Sequence, residues 1–218
     1  MNNVNQLTIQ KYFPSHFIHP DNEPIYHANW IQLWNQLLSS LTNKDNVIGI
    51  EIGTNYGGCS TWLLENILTG KDCHLYTIDA NNNKYIDNNL KPYNNVTFIK
   101  NLSENALRNL SHNGKNKLFA DFIYIDGNHF AKYVLEDAVL SWGLLKYDGY
   151  MIFDDYGWGV HTTDDAVKPK LGIDAFLNGY MNHYKLLQLN WQVYLQKIKY
   201  QYDGGEVKGN GDFLKGYE

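Results

Sequence analysis

Val47-Ile48-Gly49-Ile50-Glu51-Ile52-Gly53-Thr54-Asn55-Tyr56-Gly57-Gly58-Cys59-Ser60 decides how the rest of the chain is read. Val47 to Ile52 is a short apolar run rich in β-branched residues, the pattern of a buried strand. A glycine cluster from Gly53 to Gly58 follows, and then Cys59 to Leu68 reads as a helix with Gly70 past its end. A strand that runs through glycines into a helix opens a βαβ unit. The glycine spacing is not GxGxxG, and no Gly-Lys-Ser/Thr follows, so this is not a pyrophosphate turn or a phosphate-binding loop. An acidic residue before the glycines also repels phosphate and suits a cationic ligand.

The same alternation continues outward from this stretch. Leu75–Ile78, Val96–Ile99, Phe122–Ile125 and Tyr150–Phe153 read as strands. Ile86–Leu90, Ser103–Leu110 and Ala131–Leu145 read as helices, with Ser103 as N-cap of its own. Strands alternating with helices imply a parallel sheet with helices on both faces. After Asp155 the pattern changes to a Gly/aromatic/His loop and a helix over Ile173–Tyr180. Tyr184–Leu189 and Gln192–Lys199 are joined by so short a connection that they read as an antiparallel pair. Upstream, apolar residues from Trp30 to Leu41 recur at helical spacing up to Thr42-Asn43. Organisation follows as an N-terminal aromatic segment and helix over 1–45, a main domain over 46–202 and a Gly-rich tail over 203–218.

Composition sets the outer limits. The chain has 218 residues, 44% apolar and 19% charged, which excludes a disordered chain and a coiled coil. Net charge is −5, against a general nucleic-acid binder. Mean hydropathy is −0.45, and no run reaches a membrane span. Two cysteines without CxxC spacing, and no signal-peptide pattern at Met1–Gln10, point to a reduced, cytoplasmic chain. Cys59 falls near a helix N-terminus, where a thiol pKa would drop.

Carboxylates gather where strands end: Glu51, Asp79, Asp126, Asp154 and Asp155. In an open parallel sheet, ligands bind at that C-terminal rim. Asp79 lies 28 residues after Glu51 at the end of the next strand, where a carboxylate can take both hydroxyls of a ribose. Asp126, Asp154 and Asp155 offer three hard ligands and suit Mg²⁺. His129, three residues after Asp126, can accept a proton near neutral pH.

Val47–Ser60 resembles the first motif of class I S-adenosylmethionine-dependent methyltransferases, and Leu75-Tyr-Thr-Ile-Asp79 resembles their second. Asp121-Phe-Ile-Tyr-Ile-Asp126-Gly-Asn-His129 is similar to the metal-dependent small-molecule O-methyltransferases and the cephalosporin-hydroxylase-like proteins. The resemblance implies a Rossmann-like, doubly wound, mostly parallel α/β sheet of seven strands. It implies that Glu51, Gly53, Asn55, Ser60, Asp79, Ser103 and Asp126 border S-adenosylmethionine, with Asn55 and Ser60 toward its carboxylate. It also implies that Asp126, Asp154 and Asp155 hold Mg²⁺, with Asp126 and His129 catalytic. The family often carries an Asp after strand three for adenine; here the segment is Asn101-Leu102-Ser103, and Leu102 cannot accept that hydrogen bond.

The expected reaction is in-line methyl transfer to a hydroxyl of a small molecule, a saccharide first and a catechol-like phenol second. Tyr156, Trp158 and His161 are the expected acceptor-binding residues, with Tyr12, Phe13, Phe17, Tyr26 and Trp30 as cover. No nucleic-acid or membrane partner is expected, and homo-oligomerisation is left open. Rival readings are a catalytically silent scaffold on this fold and a non-methylating, hydroxylase-like enzyme.

Overall fold

The computed structural model describes residues 13–20, 31–112 and 117–200. Among these residues the elements, in order, are α1 (Ile31–Leu37), a 3₁₀ turn (Ser39–Leu41), β1 (Ile48–Ile52), α2 (Gly58–Asn66), β2 (His74–Asp79), α3 (Lys84–Leu90), β3 (Val96–Lys100) and α4 (Ser103–Leu110). Then follow β4 (Ala120–Ile125), α5 (Ala131–Leu144), β5 (Leu145–Phe153), a second 3₁₀ turn (Asp165–Val167), α6 (Pro169–Gly179), β6 (Tyr184–Leu189) and β7 (Val193–Lys197).

The strands form one seven-stranded sheet in the order β3-β2-β1-β4-β5-β7-β6. β1 pairs parallel with β2 and β4, β2 with β3, and β4 with β5. β7 runs antiparallel between β5 and β6, as the short connection required. The central strands β1, β4 and β7 are buried on both faces, and successive side chains serve opposite cores. Phe122, Tyr124, Ile152 and Tyr194 enter the core under α1 and α2 with Trp34, Leu38, Trp62 and Leu63. Ile123, Ile125, Met151 and Phe153 enter the other with Ala138, Trp142 and Phe176. Among the described residues no helix is long and apolar enough to cross a membrane.

Several boundaries differ from the sequence reading, each for a local reason. α1 stops at Leu37 and does not run on to Thr42-Asn43; the Ser39 hydroxyl donates to the Gln36 carbonyl, and the chain continues as a 3₁₀ turn. Ser103 is the first helical residue of α4, and Leu102 stands at the N-cap without a side-chain bond. β5 begins at Leu145, immediately after α5, and its pairing with β4 is irregular between Ala120 and Phe122. α6 starts at Pro169, well before Ile173, because proline suits the first helical turn.

Candidate active site

Sheet hydrogen bonding carries the strand-end residues to one rim. Gly53 donates to the Ile78 carbonyl at 2.8 Å, Asp126 to Ile52 at 2.8 Å, and Asp154 to Ile125 at 3.0 Å. The ladder therefore extends one residue beyond β1, β4 and β5 and fixes where Gly53, Asp126 and Asp154 begin. Gly53 adopts φ +97°, and a Cβ built there collides with the Asp126 backbone carbonyl. Only glycine lets the loop after β1 lie this close to the end of β4.

The glycine loop then turns around Asp79. The Asn55 backbone N–H donates to Asp79 Oδ2 and the Asn81 N–H to Oδ1, each at 2.9 Å. Each oxygen has taken one bond and keeps a lone pair, as a ribose-binding carboxylate requires. Asn83 caps α3 through Tyr85 and Ile86 and also donates to the Asn55 carbonyl at 3.1 Å.

Glu51 faces the α2 side of the sheet and is fully buried. Its Oε2 accepts from the Ser60 and Thr77 hydroxyls, the latter at 2.5 Å, while Oε1 has no partner. Burial pushes its pKa up to about 7, against the pull of the two hydroxyls. Ser60, read from sequence as a contact for the cofactor carboxylate, is itself buried and gives its hydroxyl to Glu51. Cys59 is also buried; burial and then the charges of Glu51, Asp126 and Asp154 drive its thiol pKa well up. The helix-terminus effect expected for it is overridden.

At the ends of β4 and β5, Asp126, His129 and Asp155 converge, with ligand atoms all within 4.8 Å of one another. His129 Nε2 lies 2.9 Å from Asp155 Oδ2. Trp158 covers the imidazole, with ring centroids 4.6 Å apart. Asp155 has φ +58°, a left-handed conformation that aspartate tolerates better than most residues.

Asp154, expected as the third ligand, lies beside this group rather than within it, and both of its oxygens are taken. Its Oδ1 accepts from the Asp155 N–H at 2.7 Å, and its Oδ2 accepts from Tyr124 and from Gln192 Nε2, the latter at 3.0 Å. The Tyr124 hydroxyl is shared with Asp126 Oδ2 at 2.9 Å. Gln192 Oε1 in turn accepts from Trp34 Nε1 at 3.0 Å and from Tyr194. Tyr124, Trp34, Tyr194 and Gln192 are all buried. Burial, and then the neighbouring carboxylates, raise the pKa of Asp126 and of Asp154. Tyr124 and Gln192 escaped the sequence reading; a tyrosine inside a buried strand, two residues before Asp126, was the one available signal.

Other expected residues are more scattered. Ser103 turns its hydroxyl toward Asp137. Leu102, at the N-cap of α4, and Phe130, at the N-cap of α5, are 53% and 46% exposed. Tyr156 points to α6, donating to Asp174 at 2.8 Å, and His161 is exposed in the loop beyond. Phe13 and Phe17 are buried in the core under α2, whereas Tyr12, Tyr26, Trp30 and the tail lie outside the described residues.

Asp137 is buried with Oδ2 unpartnered, and burial raises its pKa to about 7. The folded state favours the neutral acid, so this contribution is complete below about pH 4 and is lost as pH rises through about 7. Asp137→Asn is expected to change stability little at pH 4 and to raise it by about 2–4 kcal/mol at pH 8. Urea unfolding at the two pH values checks this; equal gains at both would reject the neutral-acid account.

A sequence profile of a methyltransferase domain matches residues 50–156. An uncharacterised protein of Acanthamoeba polyphaga mimivirus is 30% identical over 132 residues, 55% of this chain and 58% of that protein. The MycE methyltransferase of mycinamycin biosynthesis, solved with Mg, S-adenosylhomocysteine and mycinamycin VI, superposes with a TM-score of 0.66 at 14% identity. That match covers 97% of this chain and 57% of MycE. An O-methyltransferase from Bacillus cereus, solved with S-adenosylhomocysteine, gives 0.57 at 19% identity over 88% of each chain. The chain thus spans somewhat under three fifths of the mimivirus relative and of MycE.

Proposed function

We propose, for a chain that belongs through residues 50–156 to the class I S-adenosylmethionine-dependent methyltransferases, that it methylates a hydroxyl of a small molecule or saccharide with Mg²⁺ assistance. The observation that carries this reading is the group Asp126, His129 and Asp155 at the strand ends, one residue's breadth from the glycine loop.

The residues fit both groups. The loop from Gly53 to Gly58 with Asp79, and the unpartnered Glu51 Oε1, suit a ligand with an ammonium group and ribose hydroxyls. The exposed apolar side chains of Leu102 and Phe130, at the starts of α4 and α5, would suit a flat base in place of the missing acidic contact. S-adenosylmethionine supplies a methyl group already activated on a sulfonium. Burial, and after it the neighbouring carboxylates, disfavours the charged forms of Asp126 and Asp154; a divalent cation beside them would favour those forms, and a hard ion prefers oxygen to imidazole. Asp126 and Asp155 would therefore hold the ion, which lowers the pKa of a bound hydroxyl.

His129 is then left for the proton. Its Nε2 contact with Asp155 and the Trp158 ring fix the imidazole plane; with Asp155 turned to a cation, the neutral imidazole carrying its proton on Nδ1 would present a bare Nε2 to the acceptor hydroxyl. Trp158, 40% exposed, offers an aromatic face for a sugar or planar ring. Asp154, tied to Tyr124 and Gln192, orients the Asp155 backbone and shares Tyr124 with Asp126.

Thermal unfolding tests the reading. S-adenosylhomocysteine at about 100 times its Kd is expected to stabilise the protein by about 2.7 kcal/mol. Mg²⁺ should add a separate increment that Asp126→Asn abolishes. No shift with either ligand would overturn the proposal. Methyl transfer from labelled cofactor into saccharide or catechol panels then identifies the acceptor class.

A further inference from the structure

The segment 13–20 lies far from α3 in sequence, yet it is bound to it by one side chain. Asn89, fully buried in α3, accepts from the Ile18 N–H at 2.8 Å and donates Nδ2 to the Ile18 carbonyl at 2.8 Å. The same Nδ2 donates to the Tyr56 carbonyl, also at 2.8 Å. One amide thus reads both backbone groups of Ile18, as a neighbouring strand would, and joins them to the glycine loop. Phe17 is buried and stacked on Phe13 with centroids 4.5 Å apart, and His19 packs edge-on against Tyr56 at 5.5 Å.

This arrangement encloses a space. Phe17 and His19 face Gly53, Thr54, Asn55, Tyr56, Gly58 and Asp126 across a cleft of about 30 Å³. Residues 13–20 thus form a strap along one side of this cleft, opposite the glycine loop and Asp126.

We propose that residues 13–20 form a wall of the methyl-donor pocket, with Phe17 and His19 against the ligand, and that Asn89 is the positioning residue that seats them. The inference rests on the cofactor assignment above and deepens it. The N-terminal segment then serves the donor side, where sequence reading had placed it over the acceptor. Aromatic faces beside a sulfonium also favour the cationic cofactor over its neutral product.

Asn89→Asp is the discriminating variant. It is nearly isosteric and still accepts from Ile18, but its carboxylate cannot donate to the Ile18 and Tyr56 carbonyls and repels both. S-adenosylhomocysteine should dissociate at least tenfold faster, with at least a tenfold higher Kd by calorimetry. The Mg²⁺-dependent rise in melting temperature should be unchanged, which a general loss of packing would not spare. Amide exchange across residues 13–20 should accelerate in the absence of any ligand, and Asn89→Ala should reproduce both effects. Wild-type affinity in both variants would overturn the inference, as would unchanged exchange across the strap. Failure of the wild-type protein to bind S-adenosylhomocysteine would instead defeat the cofactor assignment, and the exchange measurement would still report whether Asn89 seats the strap.

Discussion

Gly53→Ala is expected to cost about 4 kcal/mol or more and to lower the melting temperature by about 10–15 °C. Two independent penalties add. The backbone at φ +97° is one that an L side chain rarely adopts, and the new Cβ meets the Asp126 carbonyl, which is main chain and cannot swing away. Relief by movement is blocked on both sides, since Gly53 is bonded to Ile78 and Asp126 to Ile52. Gly143→Ala supplies the control. It lies in α5 with nothing within 4 Å of an added Cβ, and the change should be neutral or stabilise by up to about 1 kcal/mol. Scanning calorimetry of the two proteins decides the matter; a Gly53→Ala protein melting within a few degrees of wild type would contradict the close approach of the two strand ends.

His129→Ala is expected to lower kcat by about 10²–10⁴-fold, the range for loss of a positioned proton acceptor. The ion should still bind, because Asp126 and Asp155 remain, so the Mg²⁺-dependent stabilisation should persist. Asp126→Asn should give the converse, with the ion-dependent stabilisation gone and turnover falling with it. Measured together, the two variants separate the imidazole's roles. Should His129→Ala also abolish ion binding, the imidazole is a ligand and the proton must go to another group. A shallow loss of activity, under about tenfold, would move the base elsewhere, with water as the first substitute.

Much of this was legible before any coordinates. Val47–Ser60 disclosed a buried strand, a glycine turn and a helix because each depends on local chemistry: β-branched burial, freedom of φ, and capping. The rim of carboxylates was legible for a similar reason, since an Asp that ends a run of apolar strand residues has its place set by the strand. Side-chain direction was not. Asp154 and Asp155 are adjacent, yet one turns to Tyr124 and Gln192 and the other to His129. That choice depends on a glutamine 38 residues away and on a tyrosine in a neighbouring strand. The partner of Ser60 was hidden for the same reason: its hydroxyl answers to Glu51 across the strand–helix interface. The strap was illegible because its partner, Asn89, lies 71 residues from Ile18 with no periodicity joining them.

Synthesis order gives the buried Gln192 amide a further meaning. A ribosome delivers β1 to β5, and with them Asp79, Asp126, Asp154 and Asp155, before it reaches Gln192. The parallel sheet can therefore begin to assemble while Asp154 still lacks one of its donors. Only the arrival of β7 beside β5 brings the amide that also accepts from Trp34, a contact spanning 158 residues. Such long-range closures come late, because their loop entropy must be met by contacts already made. The emerging chain accordingly carries its carboxylates unclamped for part of its life, and refolding protein should regain far-UV ellipticity before it regains ion binding.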